Sequence, residues 1–217
     1  MVFRIRNGLK VACALGAAAT AMTLLGACSP AKMGAAAVVG DQRISAGDLD
    51  TAVGQWQKAY SANPLPSNQL RLLDTGSIPR SVLYNLVVFK LADEAAKRQG
   101  VSVSTGSVDN AIAAVGGEQR VAQEAVVMGV PPQRARDYAR FRLDIQAIAG
   151  ALGPAPKTAA DQQKIQTELS KVMAATARSM RIDVNPRYGR FDYRQLAISA
   201  DGNRLSRPES PQVPAAG

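Results

Sequence analysis

The chain has 217 residues, of which 47% are hydrophobic but only 5% aromatic, and its formal net charge is +9. This composition suits one globular domain with terminal extensions and excludes a wholly disordered chain. Because there is no histidine, Ser-His-Asp triads and Cys-His dyads are excluded as well. Much of the hydrophobic fraction is alanine, which favours helix but buries little area, so we expect a helical protein with a thin core.

The N-terminal segment has the order of an export signal. Arg4, Arg6 and Lys10 precede an apolar stretch that is too short for a comfortable membrane span, and small residues precede Cys28. The sequence "LGAC" at residues 25–28 resembles the lipobox of bacterial lipoproteins. In that family the cysteine receives a diacylglyceryl group and becomes the first residue of the mature protein. The alternative is a hydrophobic helix with an incidental buried cysteine.

The lipobox resemblance implies a signal peptide over residues 1–27, lipidation of Cys28 with diacylglycerol and palmitate, and anchoring to the outer face of the cell membrane. Removing residues 1–27 takes away three basic side chains and no acidic ones, so the net charge falls from +9 to +6. Outside the cytoplasm, such a domain is expected to meet anionic lipids or wall polymers and no nucleic acid. With Cys13 removed and Cys28 acylated, neither a disulfide nor a Cys/His zinc site is expected, and no cofactor is predicted.

A short tether over residues 28–35 leads into the first predicted elements. The sequence "AAVVGDQRIS" predicts a strand, a turn at Gly40-Asp41 and a returning strand. Ser45 followed by Asp48 predicts a helix start. Apolar residues then recur at helical spacing until two prolines in "SANPLPSN" end the helix.

Several further helices are predicted along the rest of the chain. The clearest is "RSVLYNLVVFKLADEAAKRQG", which Gly100 ends. Short links then separate "VSVSTGSVDNAIAAVGG", "EQRVAQEAVVMG" and "QRARDYARFRLDIQAIAG", which should pack as antiparallel neighbours. One more helix is expected over residues 158–180, followed by a strand at Ile182 and Val184. The polar, proline-rich residues 200–217 are predicted to be a disordered tail.

Three stretches of the chain carry a family resemblance. The stretch "AAVVGDQRIS" before an amphipathic helix resembles the opening of SurA-type and PrsA-type extracytoplasmic foldases. The stretches "LADEAAKRQGVSVSTGSVDNAIAAV" and "MGVPPQRARDYARFRLDIQAI" resemble the helices and links that follow in that family. The resemblance implies a mainly α fold in which a SurA N-terminal-like helical domain covers residues 36–199. We expect residues 36–44 and 181–191, from opposite ends of this domain, to form a small two-stranded sheet.

One departure from the family pattern bears on activity. Many members carry a parvulin-type prolyl isomerase domain, but the interval from Gly150 to Arg181 has room for one helix. The resemblance without that domain implies a chaperone-like holdase that binds unfolded or exported polypeptides at the cell envelope without catalysis. An interaction scaffold for one envelope partner and a peptidyl-prolyl isomerase are the alternatives. The oligomeric state does not follow from the sequence.

Candidate peptide-binding residues are apolar side chains on predicted helices that a small domain could leave in a groove. They are Leu49, Val53, Trp56, Leu83, Val87 and Phe141. Side chains with this spacing also suit the core, because an amphipathic helix must bury its apolar stripe.

Two sets of charged residues have competing interpretations. Arg136 and Arg140 share one side of a helix, with Arg134 and Arg142 nearby. This basic side suits contact with anionic lipids or acidic client segments, and it also suits an ordinary solvated surface. Carboxylates at Asp48, Asp50, Asp93 and Glu94 could act as acid and base. Helix capping and i,i+4 pairing with Lys97 and Arg98 explain them equally well.

Overall fold

The computed structural model describes residues 34–72 and 77–200, and helical turns account for 64% of them. The predicted signal peptide, Cys28, most of the tether and nearly all of the predicted tail lie outside the described residues. The elements are β1 Ala35–Val39, β2 Gln42–Ser45, α1 Ala46–Ala62, α2 Ile78–Arg98, α3 Thr105–Ala114, α4 Glu118–Val127, α5 Ala135–Leu152, α6 Ala159–Met180, β3 Ile182–Val184, β4 Arg190–Asp192 and β5 Ala197–Ser199. Short 3-10 turns cover Ser67–Gln69 and Pro132–Arg134. The mainly α fold class is confirmed.

Side-chain caps fix where the helices begin. The Ser45 hydroxyl accepts a 3.0 Å hydrogen bond from the Asp48 amide, and the Asp48 carboxylate accepts one of 3.3 Å from the Ser45 amide. Thr158 and Asp161 form the same reciprocal pair at the start of α6. Each capping group satisfies amides that lack a partner within the helix, which stabilises a helix by about 1 kcal/mol. The helix starts predicted at Ser45 and Thr158 are therefore confirmed.

The sheet that joins the two ends of the domain has three strands, where the sequence predicted two. Its order is β2-β1-β3, and every pair is antiparallel. Val39 pairs with Gln42 across the Gly40-Asp41 turn, as predicted, and with Ile182 on its other side.

Within residues 181–191, only β3 pairs with β1. The chain turns after β3, and β4 forms a separate hairpin with β5. Gly189 enables this turn, since its φ is +123° and a Cβ there would overlap the Ser199 carbonyl.

Side chains tie the C-terminal segment to the sheet. The backbone N–H of Asn185 donates to the Ala36 carbonyl at 2.9 Å. The side-chain amide of Asn185 donates to the Ala35 carbonyl at 3.1 Å. The Tyr193 hydroxyl donates to the Ile182 carbonyl at 2.9 Å and accepts from the Ile182 amide at 3.0 Å. The Asn185 contacts satisfy carbonyls of β1, and the Tyr193 contacts satisfy backbone groups of β3 that would otherwise be open to another strand.

Helix α2 runs through the centre of the main core. It contacts α1, α5, α6 and β1, and it buries Leu83 and Leu91 completely. A second, smaller cluster lies among α3, α4 and α5. Phe89 and Phe141 pack against both clusters, with ring centroids 5.1 Å apart. The two clusters therefore form a connected apolar interior.

Candidate functional site

The predicted peptide-binding residues are distributed over α1, α2 and α5. Leu49, Leu83 and Val87 are completely buried in the main core, and Val53 and Phe141 are partly buried against it. Trp56 is 3% exposed. In this conformation the four buried side chains present almost no surface to a bound segment, which favours the core interpretation. Their role in peptide binding stays a prediction.

An apolar groove lies beside Trp56, between the C-terminal end of α1 and α4. Its volume is about 540 Å³, and we call it the α1–α4 groove. The residues that line it are Ala59, Ala62, Asn63, Leu65, Gln119, Arg120, Ala122, Gln123, Glu124, Val126, Val127 and Pro132. Most of this lining is aliphatic, and the polar members are mainly amides. A groove of this chemistry suits apolar side chains next to an extended backbone that needs hydrogen-bond partners.

Aromatic residues hold the groove in shape. The Trp56 indole nitrogen donates a 2.9 Å hydrogen bond to the Val126 carbonyl, which joins α1 to α4. The Trp56 ring stacks on Tyr60 with centroids 5.1 Å apart, and the Tyr60 hydroxyl donates to the Leu65 carbonyl at 3.0 Å. The tryptophan singled out by the sequence therefore supports the groove from behind instead of lining it.

The candidate residues chosen from the sequence include none on α4. Val121, Ala125 and Val126 are buried, whereas Ala122 and Val127 are partly buried and line the groove. A signal was present, because the apolar run at residues 125–127 is wider than one buried helix stripe requires.

A second cavity of about 540 Å³ lies among β2, α2 and α5, and we call it the α2–α5 cleft. Its walls are partly apolar, from Ile44, Leu86, Phe89 and Phe141. Its charged lining residues are Asp48, Asp93, Asp137, Asp144, Arg43, Lys90, Lys97, Arg134 and Arg140.

Ion pairs link most of the charges in the α2–α5 cleft. Asp93 lies 2.6 Å from the Lys97 ammonium and 3.3 Å from the Arg140 guanidinium. Burial raises the pKa of Asp93, but these two cations outweigh burial and lower that pKa overall. Arg134 contacts Asp137 at 3.1 Å.

Ion pairs lie along the basic side of α5. In addition to Arg134 and Arg140, Arg136 contacts Asp109 at 2.6 Å and Arg142 contacts Glu124 at 2.7 Å. All of these side chains are well exposed, so each pair contributes little to stability. The pairing favours the interpretation as a solvated helix surface. Contact with anionic lipid stays a prediction.

Asp144 differs from the other carboxylates of the cleft because it is only 1% exposed. Its Oδ2 atom has no hydrogen-bond partner in the described part of the chain. Burial raises the pKa of Asp144, and the nearby Arg140 charge only partly opposes that rise. Sequence analysis missed this residue, although an acidic residue between Phe141 and Ile148 on an apolar stripe was a visible signal.

Three of the four carboxylates considered for catalysis have structural partners. Asp48 caps α1, Asp93 pairs with Lys97, and Glu94 lies 2.7 Å from Arg98. Within residues 34–72 and 77–200, no three His, Cys, Asp or Glu side chains are arranged to bind a metal ion. No helix in this same part of the chain is long and apolar enough to cross a membrane.

A comparison with protein families matches residues 1–120, more than half of the chain, to the SurA-like N-terminal domain. The chain belongs to this family. The SurA-like N-terminal domain is helical, non-catalytic by itself and related to chaperones and foldases, and the comparison detects no parvulin domain. No curated protein and no solved structure matches the chain.

Proposed function

We propose that this protein is a membrane-anchored, chaperone-like holdase that binds unfolded or exported polypeptides without catalysis. Family membership supports the chaperone relationship. The observation that carries the proposal is the α1–α4 groove. An apolar groove with amide groups among its lining can hold an extended segment by non-covalent contacts, without catalysing a reaction.

The binding energy in this proposal comes from burial of apolar side chains. Each Å² of apolar surface removed from water contributes about 25 cal/mol. Because Val126 and Val127 lie on a regular helix and Leu65 is held through its carbonyl, little ordering is required when a client binds. Gln119 and Gln123 carry donors and acceptors for the client backbone. Such contacts select apolar, extended segments and tolerate many sequences.

We expect Val127→Asp to weaken the suppression of aggregation. The variant should be needed at about tenfold or more the wild-type concentration to give the same suppression. A carboxylate in the groove would lose hydration when an apolar client segment covers it, at a cost of more than about 1.4 kcal/mol. Light scattering of several unrelated unfolding proteins, with purified wild type and variant, measures this effect.

Val115→Asp is the matched control. Val115 is 41% exposed at the end of α3 and does not line the groove, so the same substitution should leave suppression unchanged. Equal activity of both variants and wild type would overturn the groove as the client site. If the protein suppresses the aggregation of none of the proteins tested and one stable partner is recovered, the result would favour the interaction scaffold. Turnover in a protease-coupled prolyl isomerisation assay would establish an isomerase.

The anchor is proposed to be Cys28, acylated with diacylglycerol and palmitate on the outer face of the cell membrane. We expect Cys28→Ala to release the protein from the membrane fraction and to lower its mass by the acyl groups, since the lipid chains supply the membrane affinity. Cell fractionation and intact-mass spectrometry check both expectations. Unchanged membrane partitioning together with unchanged mass would contradict lipidation at this position.

A further inference from the structure

The α2–α5 cleft contains a buried carboxyl group with an unmet hydrogen bond. Asp144 lines the cleft, is 1% exposed, and has an Oδ2 atom without a partner among the described residues. A buried carboxyl oxygen without a partner is costly, and most buried polar atoms in proteins are satisfied. This oxygen therefore marks a place where a bound donor would be stabilised.

The neighbouring cations are engaged with other acceptors. Lys97 and Arg140 share Asp93, and the Lys90 ammonium donates to the Gln42 side-chain oxygen at 2.7 Å. Arg134, at the other end of the cleft, pairs with Asp137. An anionic ligand would compete with these acceptors for the basic side chains. A cationic ligand would meet an Oδ2 atom with no other partner among the described residues, once the Asp144 side chain turns from its buried position into the cleft.

Apolar side chains in the same cleft indicate which kind of cation would fit there. Leu86 and Phe89 from α2 and Phe141 from α5 line the cleft together with Asp144. Aliphatic stems pack well on such surfaces while their charged ends reach a polar partner, and aromatic faces attract cations. The chemistry that fits is an ammonium or guanidinium group on a flexible aliphatic stem.

We propose that the α2–α5 cleft binds a lysine or arginine side chain of an unfolded polypeptide, with Asp144 receiving the charged end. This inference rests on the proposed function, because it names a class of client residue for the same chaperone. The α1–α4 groove would hold apolar client side chains, and the cleft would select a basic one. The preference for lysine and arginine then depends on Asp144, whereas general aggregation suppression does not.

Binding of a basic side chain should depend on pH. The other charged groups that line the cleft are Asp48 of α1, Arg43 of β2, Lys90, Asp93 and Lys97 of α2, Arg134 before α5, and Asp137 and Arg140 of α5. Hydrogen bonds and ion pairs lower the pKa values of Asp48 and Asp93 and raise that of Lys97. Because the pKa of Asp144 is raised, affinity for a cation should increase with pH as Asp144 loses its proton.

The test compares three fluorescent peptides that are neutral except at one position, which holds lysine, norleucine or glutamate. Fluorescence anisotropy with the purified full chain should show about tenfold tighter binding of the lysine peptide than of the norleucine peptide. Asp144→Asn should remove this preference and its pH dependence. The control is Asp109→Asn, since Asp109 is exposed, pairs with Arg136 and does not line the cleft. It should retain both effects.

Several outcomes would overturn the inference. Equal binding of the lysine and norleucine peptides by wild type would do so without any variant, as would tighter binding of the glutamate peptide. If butylamine binds the cleft as tightly as the lysine peptide, the ligand is a free amine and the polypeptide source is wrong. If aggregation suppression persists while the lysine preference is absent, the inference fails and the proposed function stands.

Discussion

Deletion of residues 181–217 is expected to abolish cooperative unfolding of the whole domain, including α1 and α2. The deleted part contains β3, whose Ile182 and Val184 are buried in the main core, and it also contains Tyr188 and Ile198 of that core. Circular dichroism during thermal and urea unfolding should show a broad, non-cooperative transition. The expected effect is large because the core is thin and these side chains cannot be replaced by neighbours.

The sheet explains why the N-terminal helices would be affected. β1 is the central strand, so loss of β3 leaves backbone groups along one side of β1 without partners. The Arg80 side chain donates a 2.9 Å hydrogen bond to the Tyr188 carbonyl, which also links α2 directly to the deleted segment.

The matched control is deletion of residues 201–217 alone. This part is predicted to be a disordered tail, and the contacts of β3, β4 and β5 remain in place without it. The shorter deletion should keep the thermal midpoint and the steepness of urea unfolding. A sharp, unshifted transition after deletion of residues 181–217 would show that the domain does not depend on pairing between its ends.

Local structure was predictable because it depends on residues close in sequence. The Ser45-Asp48 and Thr158-Asp161 pairs fix helix starts through contacts three residues apart. Gly100, at the end of α2, has a φ of +69°, a conformation that glycine adopts most readily. The Asp93–Lys97 pair likewise follows from spacing alone.

Contacts between distant residues were not predictable in the same way. Helical periodicity shows that Trp56 lies on an apolar stripe, but it does not show that α4 covers this stripe through Val126. The pairing of β4 with β5 depends on a turn and on Gly189, and the segment is too short for a clear alternating pattern. Asp144 illustrates the same limit, since burial of a single carboxyl depends on how α2 packs against α5.

The predicted peptide-binding residues differ from the lining of the α1–α4 groove for a related physical reason. Leu83 and Val87 belong to α2, which runs through the centre of the main core, and a thin core buries the apolar stripe of its central helix most completely. Groove residues such as Ala122 and Val127 are smaller and flank that buried stripe. Partial exposure, more than hydrophobicity, distinguishes a binding surface from a core.

Leu83→Ala is expected to lower the free energy of unfolding by about 3 kcal/mol, because it removes buried methyl groups and leaves a cavity. Leu83 is completely buried near the middle of the main core, where α2 contacts both α1 and α5. Since the core is rich in alanine and valine, few long side chains are available to fill the space. Urea unfolding at equilibrium measures the loss, and the thermal midpoint should fall by about 10 °C.

The matched comparison uses Val115→Ala, which shortens an exposed side chain and should change the free energy of unfolding by less than about 0.5 kcal/mol. Equal effects of the two substitutions would contradict the burial of Leu83. The comparison also separates the core from the client site. A folded Leu83→Ala protein should still suppress aggregation well below its thermal midpoint, because the α1–α4 groove does not include Leu83. If the folded Leu83→Ala protein no longer suppresses aggregation, Leu83 is instead part of the client site, as the sequence pattern first predicted.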